Sequence, residues 1–418
     1  MQARGWYKVA LAVVWLGMAS SGIVFAEPAP VDLALIVLIV LLPAAGLISV
    51  SCPLLIYLGL WLVVVAGGCI GAISAFDFSV AGKQVFVTFY LSIASAALAA
   101  FIQRDPARHI RLIMNAYLLA ALVATVAALV GYFDIVPPLT ELLTEFGRAR
   151  GTFKDPNVYG AFVVPALVYA LYLGIAGRGR MAALALAATG FLLLGALLSF
   201  SRGAWSNAAV SIALFSLLSF VTSRSNRIRV RIVSLVVGAV ISGALVLGLA
   251  LQSPAVSTLL LERAQVEQSY DALPNGRFAG HEIAKALIVS HPLGIGPLQF
   301  SGNYHQEDVH EVYLNVLLGH GWLGGGAYIL VVALTLVLGM AAAFKPHPAQ
   351  GLLLVGFSAY AGAVGEGFIV DTDHWRHFFL LMSIIWGVYL TQQPARTDAR
   401  GFRPAASNMP QSTVSVGY

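Results

Sequence analysis

Charge is what this chain has least of. Only 10% of its 418 residues are charged, 59% are hydrophobic, and the mean hydropathy is +0.84. What remains cannot cover a water-soluble globule, which excludes a soluble enzyme or a soluble binding module. Cysteine is nearly absent. Cys52 and Cys69 would stand roughly 25 Å apart on a helix rising about 1.5 Å per residue, too far for a disulfide. Metal signatures are missing as well: His305, Asp308 and His310 lie near one another, but their spacing matches no recognised zinc pattern, so no metal or other cofactor is expected. No internal repeat of solenoid or propeller length occurs. The net charge of +5 is mild, and its cations fall in short clusters between apolar runs. That suits membrane lipid head groups and excludes nucleic acid as a partner.

Long apolar runs are what the chain has instead. A bilayer-spanning helix needs about 20 mostly apolar residues. Runs bounded by Pro, Gly and charge predict spans near 7–26, 31–50, 54–76, 85–102, 112–133, 158–176, 181–200, 205–221, 232–251, 313–343, 351–370 and 378–390. The expected fold class is therefore an all-α polytopic membrane protein with about twelve transmembrane helices. Residues 1–26 imitate a cleavable secretory signal, but ahead of so many later spans they read as a retained first helix. The tenth run is too long for one straight crossing, and Gly319, Gly321 and Gly324 to Gly326 predict a break or tilt there.

Cations near span ends mark the cytoplasmic side. With the N-terminus inside, 15 of the 24 Lys and Arg fall on inside segments, so both termini are expected in the cytoplasm. The two long loops, roughly 134–157 and 252–312, then share the external face, where long loops suggest work is done. The second is expected to carry short surface helices. Residues 1–391 read as one membrane domain, and 392–418, rich in Pro, Ser, Thr and Arg, as a disordered cytoplasmic tail.

Several external motifs carry chemistry. Arg148, Arg150 and Lys154 precede a helix start that Asp155 can cap and Pro156 can open; the cations are either solvated or form an anion site with the helix N-terminus. Arg202 sits in the tightest external turn, where its guanidinium fork could grip lipid phosphate or a substrate diphosphate. Arg277 follows the turn Pro274-Asn-Gly276 and precedes an amphipathic stretch, after which Gly294 and Gly296 read as an ordinary turn. Asp308 and Glu311 have the spacing of a capping box. His310 would then lie in the first helical turn as a neutral ring able to accept a proton from an attacking hydroxyl. Glu366, near the outer end of its span, could pair with an outer arginine, in the structure alone or in the reaction.

Arg150-Gly-Thr-Phe with Pro156-Asn157, Ser201-Arg202-Gly203, Arg277 followed by His291-Pro-Leu-Gly-Ile-Gly296, and His310 with Leu314, Gly321 and Gly324 together carry a family resemblance. Over roughly residues 145–345 the chain resembles the O-antigen ligase and O-antigen polymerase superfamily of membrane glycosyltransferases. The resemblance implies transfer of a glycan from an undecaprenyl diphosphate carrier to a glycan, lipid or protein acceptor at the periplasmic surface of the inner membrane, without metal. It implies that Arg202 and Arg277 hold the donor diphosphate, with Arg150 helping and Lys154 nearby, and that His310 orients or deprotonates the acceptor hydroxyl. The family often has Asn or Ser directly after this histidine. Here Glu311 follows, a difference that bears on the acceptor. A ligase and an exopolysaccharide or O-antigen polymerase share these motifs. A lipid-linked glycan transporter would instead need polar groups along a path at mid-depth, and the spans offer few. A scaffold subunit of an envelope assembly would leave the outer arginines without catalytic purpose.

Overall fold

The computed structural model describes residues 2–250 and 277–393. Among the described residues there are fourteen helices: α1 Gln2–Ala19, α2 Pro30–Ala44, α3 Cys52–Ile73, α4 Phe78–Arg104, α5 Pro106–Tyr132, α6 Pro137–Leu143, α7 Pro156–Ala176, α8 Gly179–Leu198, α9 Arg202–Thr222, α10 Asn226–Ala250, α11 Arg277–Ser290, α12 Val312–Ala343, α13 Gln350–Glu366 and α14 Arg376–Thr391. Seven of them, α3, α4, α5, α7, α8, α9 and α12, are long and apolar enough to cross a membrane. The protein is a helical, membrane-embedded bundle. One small departure from all-α is a hairpin of β1 Thr144–Glu145 and β2 Arg148–Ala149. Residues 251–276 of the long second loop and the tail after Gln393 lie outside the described residues.

Several helices start earlier than hydropathy predicts, and caps explain two of them. The Asp77 carboxylate accepts from Ser79 N at 2.8 Å and Val80 N at 3.0 Å, so α4 begins at Phe78 and not near 85. Asp105 accepts from Arg108 N at 3.3 Å with Pro106 as first helical residue, so α5 takes in Arg108 and Arg111. Each cap satisfies orphan helix donors that apolarity does not register.

Small residues set how closely the helices pack. A methyl on Gly67 of α3 would come within 2.5 Å of His320 O and 2.6 Å of Gly324 Cα on α12, and Gly71 abuts Gly319 O. Backbones meet directly where no side chain intervenes. The expected break in the tenth run is real: Gly321, at φ 67° and ψ −179°, interrupts α12. Polar pins tie other pairs. Ser95 of α4 donates to Phe379 O of α14 at 2.9 Å and bonds Tyr57 of α3 at 2.7 Å.

Alternate turns gather at opposite ends. At one end, Val24 N donates to Thr152 O at 2.8 Å, Asp77 N to Gln299 Oε1 at 2.8 Å, and Val312 N to Gly367 O at 2.9 Å. At the other, Arg104 Nη1 reaches Gly46 O at 2.6 Å, Arg231 Nη1 reaches Gly177 O at 2.7 Å, and Thr391 bonds His347 at 3.1 Å. The turns expected outside by charge parity are those of the first end.

Candidate functional site

The α8–α9 turn is local chemistry: Ser201 Oγ accepts from Ala204 N at 3.2 Å as N-cap, which makes Arg202 the first residue of α9. The next residue has to be small. A Cβ on Gly203 would lie 2.8 Å from Glu366 Oε1, so the end of α13 presses against the start of α9. Glu366 is 1% exposed. Its Oε2 accepts from Asn207 Nδ2 at 2.7 Å, and Asn207 Oδ1 in turn accepts from Ser211 Oγ at 3.0 Å. Glu366 makes no ion pair among the described residues, so the expected arginine partner is replaced by an amide one turn into α9. Its Oε1 has no hydrogen-bond partner among the described residues.

Directly after Glu366, Gly367 O receives the Val312 N–H, which fastens the start of α12 to the end of α13. Here the expected capping box is corrected. Glu311, not Asp308, is the N-cap of α12, and no side chain caps that end. His310 therefore precedes the helix, with φ +50°, and does not occupy its first turn. The Val312–Gly367 bond explains the shift, because it turns α12's first amide toward a neighbouring backbone and relieves Asp308 of that role.

His310 faces an acid from the next loop. Its Nδ1 lies 3.9 Å from Asp371 Oδ2, with His310 40% and Asp371 17% exposed. Asn315, one turn into α12, donates to Asp371 Oδ1 at 3.0 Å. Burial, with the nearby Asp373 carboxylate adding to it, pushes the Asp371 carboxyl up to about 7. Asp373 goes the other way: burial opposes its charge, but His374 Nδ1 at 3.1 Å holds it below the usual carboxylate range. Gln84 of α4 also reaches Asp373, at 3.5 Å.

α11 closes the third side. His281 Nε2 donates to Val309 O at 2.8 Å, beside His310. Arg277 lies four residues earlier and Lys285 four later, so the three positions form one helical stripe. Arg277 opens α11; its side chain lies outside the described residues. Burial raises the Glu311 carboxyl, and the Lys285 charge opposes that rise. The turn after α11 docks on the break in α12: Ile295 N donates to Leu318 O at 2.9 Å and Trp322 N to Pro292 O at 2.9 Å. Gly294 has φ +86°, and a Cβ there would meet Gly321 N at 2.6 Å, so this glycine is required both by its backbone angle and by close packing.

The first loop behaves as a capped helix start. Asp155 accepts from Asn157 N at 2.5 Å and Val158 N at 3.4 Å, with Pro156 as first helical residue. Its cations are engaged with protein. Arg148 donates to Ser199 O at 2.8 Å and Asn157 Oδ1 at 2.7 Å; Arg150 donates to Leu142 O, Lys154 O and Glu141 O at 3.3, 3.1 and 3.1 Å. Lys154 is 3.6 Å from Glu27. This geometry favours a structural role for Arg150 and Lys154 over the anion site.

The structure thus brings together His310, Glu311, the helix start bearing Arg202 and the helix start bearing Arg277. Sequence reasoning assigned no site role to Asp371, Asn315 or His281. The four-residue spacing of Arg277, His281 and Lys285 was a legible signal for His281; nothing local marked Asp371. No group of three or more His, Cys, Asp or Glu that could hold a metal ion occurs among the described residues. No family model and no curated protein matches this chain.

Proposed function

We propose that this protein is an inner-membrane glycosyltransferase of the O-antigen ligase type, which moves a glycan from an undecaprenyl diphosphate carrier to an acceptor hydroxyl at the periplasmic face. In this reading α1–α5, α7–α10 and α12–α14 make twelve crossings, both termini are cytoplasmic, and the end carrying His310 is periplasmic. The observation that carries the reading is the His310–Asp371 pair at 3.9 Å, set on backbone that is bonded both to α11, which Arg277 opens, and to the α13 end against which Arg202 starts α9.

The chemistry follows from those groups. His310 takes the proton of the acceptor hydroxyl, and the Asp371 carboxylate stabilises the imidazolium that results. The acceptor oxygen bonds to the anomeric carbon of the donor sugar as the bond from that carbon to the diphosphate oxygen breaks. The leaving diphosphate carries the electron pair away. Arg202 and Arg277 balance its charge where water is scarce and each hydrogen bond counts for more. An activated diphosphate needs little acid help to depart, so positioning and charge stabilisation do most of the work. No cofactor enters the scheme.

Deleting the gene and analysing the glycan left on the carrier tests the reading. Long chains accumulating there support a ligase, and single repeat units support a polymerase of the same superfamily. An unchanged carrier pool would refute both.

A further inference from the structure

At the end of the bundle opposite His310, where Asp105 caps α5, three other segments are one-sided in charge. Segments 177–180, 222–231 and 344–350 hold Arg178, Arg180, Arg224, Arg227, Arg229, Arg231 and Lys345, and no Asp or Glu. Two of these cations serve the protein itself. Arg231 bonds Gly177 O at the end of α7, and Arg229 donates to Phe220 O at 3.2 Å while lying over the Phe220 ring. Arg224 and Arg227 are exposed.

Between the ends of α7, α9 and α12 and the starts of α10 and α13 runs a cleft of about 480 Å³, within the roughly 300–1,000 Å³ of small-molecule sites. Its accessible apolar wall includes Val221, Ile228 and Phe344 over buried Phe215 and Leu354, and Arg224 lines it with them. Arg227, the second residue of α10, lines a second hollow with Gly179 and Arg231. An apolar trough beside uncompensated cations fits a ligand that has both a hydrocarbon chain and an anionic head. A free phosphate would gain nothing from the aromatic and aliphatic wall.

We propose that this cleft binds an anionic glycerophospholipid of the leaflet at that end of the bundle, with the lipid phosphate at Arg224 and Arg227 and an acyl chain along Val221, Ile228 and Phe344. The site is separate from the glycan chemistry and does not depend on it.

The test uses the full chain in phosphatidylcholine nanodiscs titrated with phosphatidylglycerol, with bound lipid counted by native mass spectrometry. At about fivefold per cation near a membrane surface, the double variant Arg224→Ala/Arg227→Ala binds roughly 25-fold more weakly than wild type. Ser219→Trp, which fills the cleft and keeps every charge, weakens binding to a comparable extent. Unchanged thermal unfolding in phosphatidylcholine alone verifies that each variant is folded. Equal retention by wild type and the double variant overturns the proposal. So does wild-type binding by Ser219→Trp, because head groups would then be attracted without the cleft. Displacement of phosphatidylglycerol by millimolar inorganic phosphate also overturns it, because the site would be one for free anions.

Discussion

Asp371→Asn is the substitution that most directly tests how His310 works. It keeps the side chain's size and its contact with Asn315 while removing the charge that faces the histidine. A unit charge 3.9 Å from an imidazolium is worth on the order of 4 kcal/mol at an effective dielectric of 20. The 40% exposure of His310 screens roughly half of this, leaving about 2 kcal/mol, or about thirtyfold in rate. The effect falls on the transition state, so kcat drops and KM holds. The pH profile carries a second signature. With its carboxyl pushed up to about 7, Asp371 is neutral in acid and ionises as pH rises through 7, so its share of the rate is absent below that pH and gained above it. The wild-type profile therefore rises by about thirtyfold through pH 7 on this account. Asp371→Asn loses that rise. Initial rates of transfer by purified protein, from a lipid diphosphate-linked glycan to its acceptor between pH 5 and 9, measure both. A variant within about threefold of wild type, with the profile unaltered, would refute the pairing.

Arg202→Ala and Arg277→Ala should each slow transfer by about 10² to 10³, the usual cost of losing one donor to a developing oxyanion; wild-type rates for both would end the proposed mechanism. Arg150→Ala should lower thermal stability and leave KM unchanged, because its guanidinium ties the end of α6, at Glu141 O and Leu142 O, to Lys154 O, whereas Lys154→Ala, at a half-exposed ion pair, should change stability by no more than about 0.5 kcal/mol and leave KM unchanged. A raised KM for Arg150→Ala with unaltered unfolding would restore the anion site. Arg376→Ala strands Asp32, which is 2% exposed and bound by Arg376 at 2.8 and 2.9 Å; the expected cost is about 3–5 kcal/mol, read as lost folded protein, and Asp32→Asn in the same chain should recover much of it. Gly71→Ala drives a methyl into Gly319 O and should cost about 1–3 kcal/mol, with unchanged melting as the contrary result.

How much of this was legible in the sequence depends on the range of the signal. Asp155 and Pro156 announce the start of α7 because a cap acts on amides two and three residues away. The glycines of 319–326 announce the break in α12 because Gly321 alone tolerates its backbone angle there. The starts of α4 and α5 were misplaced by hydropathy alone, although Asp77 and Asp105 carried the needed signal. His310 shows the limit. Its capping-box spacing was present, but a bond from Val312 to Gly367, 55 residues further on, decided where the helix began.

By itself the sequence determined the membrane class, the clustering of cations between apolar runs and the order of the loop motifs. These are sums over residues or effects of near neighbours, and they need no knowledge of packing. Only the tertiary structure decided that Asp371 faces His310, that Glu366 rests on Gly203 and Asn207 and so against the start of α9, and that Arg376 serves Asp32, 344 residues away. A buried polar group takes whichever partner the packed helices bring within about 3 Å, and that choice belongs to the whole bundle.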